Sequence, residues 1–321
     1  MLTEIINSQP KDLLHIEYDL GNLCNHRCSY CFPGSNEGTI PWPDVDLVIK
    51  NLDHLLAHYK NAGKTKFDIY LIGGEPTLWK ELPKLCQHLK NNYDINIRLS
   101  TNGSRKLDWW KDNVKFFDEI EVSVHHEYAD IEHLSNVLDL IYDNKVNNVA
   151  NVLMDPDHFE KCQAIIHQLK SSKRRWTIIA KTVHFNGVTR YSESQKKFLL
   201  TPLKRMPNLF WWFSLKNRNQ TKVWAVKNSK KKLVNENWFA LNDLNCFQGW
   251  SCNLGVDLIK IHRDGYINGN CRQKIYGIDH FYNLYDKNFI NEFSPEIIPI
   301  VCEKSICECT HEITIKKIKN A

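Results

Sequence analysis

Three thiols fall within eight residues in the stretch "LCNHRCSYCF": Cys24, Cys28 and Cys31, with gaps of three and two residues and no fourth cysteine nearby. A structural zinc site takes four ligands, typically two cysteine pairs, and fits this trio badly. Thiolates also hold 4Fe–4S clusters, and three of them leave one iron open to bind a small molecule. On the trio alone, zinc or oxidisable surface thiols stay as the other reading. A second group is "GGEP", Gly73 to Pro76. Glycines let backbone approach a ligand closely, proline fixes the exit of the turn, and Glu75 offers an acceptor for an ammonium group. A third group gathers six of the eleven cysteines at the C-terminal end: Cys246, Cys252, Cys271, Cys302, Cys307 and Cys309. Cys86 and Cys162 stand apart, each among apolar residues at helical spacing, and are expected to pack.

The elements that must position these groups follow a simple order. β-rich runs at 14–20, 67–73, 95–100, 119–124, 148–154 and 176–183 alternate with amphipathic runs near 44–61, 79–92, 106–115, 130–144 and 157–171. Such alternation implies parallel strands with right-handed crossovers. Six units are too few for a closed eight-stranded barrel, so the expected fold is a partial (β/α)6 barrel of TIM type. Chemistry in such barrels sits in loops after the strands. The trio follows the first strand, "GGEP" ends the second, "STNG" the third and "SVHH" the fourth, so four unusual loops should share one mouth. Period-two geometry places Ser100 with Asn102, and Ser123 with His125, on common strand faces. Strand-end capping is the plain alternative for Ser100, Asn102 and Ser123, and packing or solvation for His125 and His126.

Beyond residue 190 the pattern changes. "LFWWFSL" and "TKVWAVK" read as aromatic-rich strands, "VDLIKIHRDGYINGNC" as a hairpin around "RDG", and "LYDKNFINEF" as a short helix. The expected division is a barrel unit over 1–190 and a smaller α+β unit over 206–321. At 321 residues, with 42% hydrophobic and 25% charged residues, the composition is that of a globular protein. No apolar run approaches the ~18 residues of a spanning helix and the N-terminus lacks a signal-peptide pattern, so a cytoplasmic protein without membrane association is expected. Clustered cysteines in a reducing compartment point to metal or redox chemistry. A formal charge of +5 is a weak argument for a nucleic-acid partner, and "KSSKRR" and "KKK" read as solvated turns.

Together, Cys24-x3-Cys28-x2-Cys31 with an aromatic before the third cysteine, and Gly73-Gly74-Glu75-Pro76 one βα unit later, resemble the radical S-adenosylmethionine (AdoMet) superfamily. The resemblance implies that Cys24, Cys28 and Cys31 hold a catalytic 4Fe–4S cluster whose open iron chelates AdoMet. Reductive cleavage then yields a 5′-deoxyadenosyl radical that abstracts hydrogen from a substrate. It further implies cofactor contacts from Gly73, Gly74, Glu75 and Pro76, with Ser100, Asn102 and Ser123 near the ribose or carboxylate, and a low-potential electron donor such as flavodoxin or ferredoxin. The segment from Cys252 to Cys271, with Gly255 and Gly265, is similar to the hairpin opening a SPASM or twitch extension. That implies a second, auxiliary 4Fe–4S cluster held by Cys252, Cys271 and two of Cys302, Cys307 and Cys309, with Cys246 spare and structural zinc as the other possibility. A full SPASM set has about seven cysteines, and this chain has six. Such enzymes oxidise or cross-link peptide side chains, or dehydrogenate sugar alcohols, so the substrate is expected to be a peptide or protein, or a small hydroxylated metabolite. The alternatives are an RNA- or nucleobase-modifying radical enzyme and, of a different class, a zinc-bearing nucleic-acid-binding module.

Overall fold

The structure, a computed structural model, describes residues 2–7, 9–171, 176–183, 190–201, 222–227, 229–268, 282–307 and 313–320. After a first strand, β1 (Leu2–Ile6), come six strands matching the six β-rich runs: β2 (Leu13–Asp19), β3 (Lys66–Ile72), β4 (Ile95–Thr101), β5 (Glu119–Val124), β6 (Asn147–Met154) and β7 (Thr177–Thr182). They pair in sequence order, all parallel. Helices α1 (Val45–Asn61), α2 (Leu82–Asn92), α3 (Leu107–Asn113), α4 (Ile131–Asp143) and α5 (Phe159–Ser171) return the chain between them. Two of these helices start at aspartate caps: Asp44 accepts from the Leu47 N–H at 2.9 Å, and Asp130 from the His133 N–H at 3.0 Å. The α1 stripe Val48, Leu52, Leu55 and Leu56 is buried against the sheet, and Cys86 on α2 and Cys162 on α5 are fully buried, as their apolar neighbours implied.

Along these strands one face is apolar and meets the helices, while the other lines the barrel and carries charge on β2 to β5. Arg98 lies buried in that lumen, 3.4 Å from Asp68, 3.7 Å from Glu119 and 3.6 Å from Glu121, with its guanidinium 4.3 Å from the centroid of the Tyr70 ring. Burial opposes its charge, but Asp68, Glu121 and Glu119 outweigh that and raise its pKa. Tyr70 and Asn151 donate to Glu121 at 3.0 and 2.7 Å. A buried charge survives only when paired and hydrogen-bonded, so this interior is built for polar contents.

The strands cross the expected division at residues 190–206 in both directions. A helix, α6 (Glu193–Leu200), precedes the hairpin β8 (Lys222–Lys227) and β9 (Lys230–Asn235); α7 (Glu236–Leu241), β10 (Trp250–Cys252), β11 (Leu258–Ile261), β12 (Tyr266–Asn268), β13 (Tyr282–Asn283), α8 (Phe289–Glu292), β14 (Ile300–Val301) and β15 (Lys317–Lys319) follow. The "RDG" hairpin β11–β12 extends the barrel sheet, not a separate one: β11 lies parallel to β2, giving the order β13-β12-β11-β2-β3-β4-β5-β6-β7. It thereby pairs the outer edge of β2, which would otherwise be an open row of backbone groups. Among the described residues this nine-stranded sheet is open, with β7 and β13 at its edges. Conversely, β1 joins the C-terminal strands in a second sheet, β14-β10-β15-β1-β8-β9. "TKVWAVK" does form a strand, but its hairpin partner is the "KKK" segment, whose exposed lysines begin the edge strand β9; this corrects the reading of Lys230–Lys232 as a turn. "LFWWFSL" and most of "KSSKRR" lie outside the described residues.

Candidate active site

The trio sits directly after β2, in a loop that every neighbouring loop grips. Cys24 and Cys28 are buried and Cys31 is half-buried. The GGEP loop is hydrogen-bonded onto it backbone to backbone: Gly74 N–H donates to Gly21 O at 2.7 Å and Glu75 N–H to Leu23 O at 2.8 Å. A Cβ at Gly74 would come within 2.4 Å of Leu23 O; one at Gly73, whose φ is +139°, within 2.7 Å of Gly21 O. These two glycines are therefore required by contact with the cysteine loop itself, a nearer reason than cofactor approach. Pro76 opens a short 3-10 turn, Pro76–Leu78.

Glu75 has a structural role beside the cofactor contact that the sequence suggests. It is fully buried, and both carboxylate oxygens are taken by the protein. Oε1 accepts from Thr77 N–H at 3.1 Å, Thr77 Oγ1 at 2.6 Å and Thr101 Oγ1 at 2.7 Å; Oε2 accepts from Asn102 N–H at 2.6 Å. With about two acceptor sites on each oxygen, three donors fill Oε1, while Oε2 accepts one hydrogen bond. Glu75 is a strut joining the loops after β3 and β4. Burial pushes its pKa up, against the pull of its donors.

Asn102, on the loop after β4, donates to Asn25 Oδ1 at 2.9 Å and lies 3.8 Å from Cys24 Sγ, which also accepts from His26 N–H at 3.3 Å. Ser100 faces the lumen and hydrogen-bonds Tyr70. Ser123, half-buried, occupies the lumen face near the end of β5, beside Asn151 of β6. The sequence reading missed how fully residues 125–128 clamp the trio. Tyr30 Oη lies 3.2 Å from His125 Nδ1 and its ring stacks on His126 at 5.3 Å; Glu127 accepts from Ser29 N–H at 3.0 Å and Ser29 Oγ at 2.5 Å; Tyr128 stacks on His26 at 4.6 Å. The run "HHEY" was in view but has no spacing rule that signals such a clamp. Arg263 of the "RDG" turn was missed too. It reaches back to Asp19 Oδ2 at 3.0 Å, Gly34 O at 2.6 Å and Ser35 Oγ at 3.1 Å.

The donor set fits an iron–sulfur cluster. Around zinc, tetrahedral sulfurs at 2.3 Å would lie ~3.8 Å apart. Among the described residues the one group of three or more ligand atoms within 4.8 Å of one another is His126, Asp155 and His158, so the trio's sulfurs are set more widely. N–H donors to Cys24 Sγ are of the kind that tune cluster sulfurs. Burial pushes the Cys28 thiol up to about 12, with Cys31 and Glu127 adding to it, and raises Cys24 and Cys31 as well. Without a cation these groups are neutral thiols; binding iron must release their protons.

Of the C-terminal cysteines, Cys252, Cys302 and Cys307 are buried and Cys246 is exposed. Cys271 and Cys309 lie outside the described residues.

Comparison with known proteins bears on this geometry. Residues 18–154 match the model of the Radical SAM superfamily. The GTP 3′,8-cyclase of Haemophilus influenzae is 24% identical over 176 residues, 50% of this chain and 51% of that protein; the S-adenosylmethionine-dependent nucleotide dehydratase of a Fibrobacter strain is 30% identical over 125 residues, 38% and 35% of the two chains. The chain spans about half the length of that cyclase. The solved structure of native anSMEcpe with bound AdoMet shares the fold, with a TM-score of 0.51 at 15% identity over 87% of this chain and 80% of the other. Residues 18–154 thus match a radical SAM domain, and that superfamily implies a 4Fe–4S cluster and AdoMet. No helix among the described residues is long and apolar enough to cross a membrane.

Proposed function

We propose that this protein is a radical AdoMet oxidoreductase or maturase that takes hydrogen from a polar substrate, a peptide or protein side chain or a small hydroxylated metabolite. The observation that carries the reading is the assembly at the mouth: the trio's loop is locked by GGEP, Asn102, residues 125–128 and Arg263, all within or against residues that match the superfamily. Cys24, Cys28 and Cys31 would hold the cluster, and AdoMet would fill its open iron. When bound, these groups supply reductive cleavage of the sulfonium and the 5′-deoxyadenosyl radical that abstracts hydrogen.

The chain's own residues then bind and orient. Beside Glu75, Asp19 Oδ1 is a buried acid oxygen with no hydrogen-bond partner among the described residues, 3.1 Å from where a Gly73 Cβ would sit, and it suits an ammonium. Ser123, at the end of β5, and Asn102, beside Cys24, would serve the ribose or carboxylate. The charged lumen around Arg98, Glu121 and Lys260, whose ammonium donates to Glu17 at 2.6 Å, suits a hydroxylated substrate. A second cluster on Cys252, Cys271 and two of Cys302, Cys307 and Cys309 would accept the electron left on the substrate, making the net reaction a two-electron oxidation. A low-potential flavodoxin or ferredoxin would supply the first electron. A second reading, a nucleotide or nucleobase substrate, is favoured by the names of the curated relatives.

The test is release of 5′-deoxyadenosine by the reconstituted, reduced protein given AdoMet. Equal release by the Cys24→Ala/Cys28→Ala/Cys31→Ala protein would end the proposal. Stimulation by nucleoside triphosphates but not by sugar alcohols or peptides would select the second reading.

A further inference from the structure

Outside the trio, three more ligand-type side chains converge. Asp155 Oδ2 lies 3.0 Å from His126 Nε2 and 2.8 Å from His158 Nδ1, and the three atoms lie within 4.8 Å of one another. His126 comes from the loop after β5. Asp155 and His158 bracket the 3-10 turn Pro156–His158 after β6. The turn in "MDPDH" is well suited to chelation. Asp155 caps the turn by accepting from Asp157 N–H at 3.1 Å through Oδ1, which fixes the carboxylate with Oδ2 facing both imidazoles. His126 and Asp155 are buried, and His158 is half-exposed.

Two features separate this group from an ordinary hydrogen-bonded strut. First, His126 Nδ1 is buried with no hydrogen-bond partner, in a residue only 5% exposed. In either tautomer that nitrogen is desolvated and unpaired, a cost of ~1–3 kcal/mol that an apolar contact would avoid. Nothing on the Nδ1 side fixes the tautomer, so Nε2 is free to present its lone pair. Second, the two imidazoles stack at 4.7 Å with 28° between planes, an arrangement hostile to two imidazolium charges and natural for two neutral donors. Edges of 2.8 and 3.0 Å match the ~3.0 Å between adjacent ligands of an octahedral ion with ~2.1 Å bonds.

We propose that His126, Asp155 and His158 form a two-histidine, one-carboxylate site for a divalent late first-row cation, with zinc the natural probe. Three protein ligands on one face leave outward positions for water on the exposed His158 side. The ion would fasten the loop after β5 to the loop after β6. His126 stacks on Tyr30, so that clamp would stiffen the wall of the mouth beside Cys28 and Cys31. The site is distinct from the trio and does not depend on the proposed reaction.

The test is equilibrium dialysis of the full-length, cluster-loaded protein against zinc, with elemental analysis and X-ray absorption at the zinc edge. Cysteine thiolates are zinc ligands too, and the zinc–ligand distance separates the two kinds of site: ~2.0–2.1 Å for nitrogen and oxygen, ~2.3 Å for sulfur. One equivalent of zinc with only nitrogen and oxygen neighbours is expected. It should bind at least tenfold more weakly in His158→Ala and Asp155→Asn, and zinc should raise the melting temperature of the parent but not of His158→Ala. Because His158 is half-exposed, its replacement should leave the metal-free melting temperature unchanged. Equal nitrogen- and oxygen-bound zinc in parent and His158→Ala, or no such zinc in the parent at millimolar concentration, would overturn the proposal and leave a strut.

Discussion

Cys24 and Cys28 in the first cysteine-rich region and Cys252, Cys302 and Cys307 in the second are buried, but the two regions are held in different ways. The trio's loop is gripped by side chains arriving from separate loops: Asn102 at Cys24, Glu127 at Ser29, His125 and His126 at Tyr30, and Arg263 at Gly34. Of the C-terminal cysteines, Cys302 and Cys307 are held by main chain and apolar packing. Gly249 N–H donates to Cys302 O at 2.7 Å, Cys302 N–H to Trp250 O at 2.8 Å and Cys307 N–H to Asn245 O at 2.8 Å, while Cys302 and Cys307 share a core with Leu2, Ile5, Phe239, Phe247 and Trp250. The difference is one of wetness. The first region presents sulfur to a polar mouth where a ligand can enter; the second sets sulfur against apolar side chains, an environment suited to electron transfer without ligand exchange.

The strongest way to break that comparison is to remove thiols from each side. Alanine at Cys24, Cys28 and Cys31 together should abolish 5′-deoxyadenosine formation and remove about four irons per chain, the content of one cubane. Alanine at Cys252 or Cys302 should leave AdoMet cleavage measurable while lowering iron and product formation. If both sets of variants lose cleavage equally, the regions do not differ in function as proposed.

Glu75 tests the grip itself. Glu75→Ala leaves four buried donors, two of them backbone N–H groups, without an acceptor; by analogy with breaking a buried charged network this should cost ~3–5 kcal/mol, read from the urea midpoint of the cluster-free protein. Glu75→Gln keeps the shape but turns an NH2 toward those donors, and should lose part of the same stability. Weaker AdoMet binding with unchanged stability would instead point to a direct role toward the cofactor.

These cases show what could be read from the chain and what could not. The six strands of the barrel were legible because each is a β-rich run between amphipathic helices, and the trio and GGEP because their spacing is tied to local backbone geometry. The partners of β2 and β1 were not. That β11 would pair with β2 while β1 would leave for the C-terminal sheet is decided by which open edges meet in three dimensions, and neither segment's own pattern records its neighbour. Likewise Glu75 was found, but its part in joining the loops after β3 and β4 was not, since only the positions of Thr77, Thr101 and Asn102 reveal those hydrogen bonds. Arg263 lies more than two hundred residues from Gly34 and carries no local sign of that contact.

The grip on Tyr30 also predicts a pH dependence. Burial, with help from His26, lowers the pKa of His125 from 6.5 to about 4, so the folded protein keeps it neutral where the unfolded chain protonates it. Between those values the unfolded state binds more protons, and stability must fall as the pH drops from about 6.5 toward 4. Two and a half pH units correspond to about 3 kcal/mol at most. In the cluster-free protein, His125→Gln should flatten this part of the urea-midpoint profile while leaving the pH 8 value nearer the parent's. An unchanged slope between pH 7 and 5 would mean that His125 is not what titrates.

Cys246 offers the smallest effect and the finest cut between the two regions. Its side chain is exposed, so Cys246→Ser should change stability by no more than ~0.5 kcal/mol. Yet its neighbour Asn245 is tied to Cys307 twice, accepting from Cys307 N–H at 2.8 Å and donating to Cys307 O at 3.0 Å. The backbone therefore holds Cys246 close to the segment that carries a proposed ligand. If Cys252, Cys271 and two of the last three cysteines complete the auxiliary cluster, Cys246→Ser keeps about eight irons per chain, as two cubanes require. Loss of iron down to about four, with AdoMet cleavage intact, would make Cys246 a ligand and move one of the last three thiols out of the set.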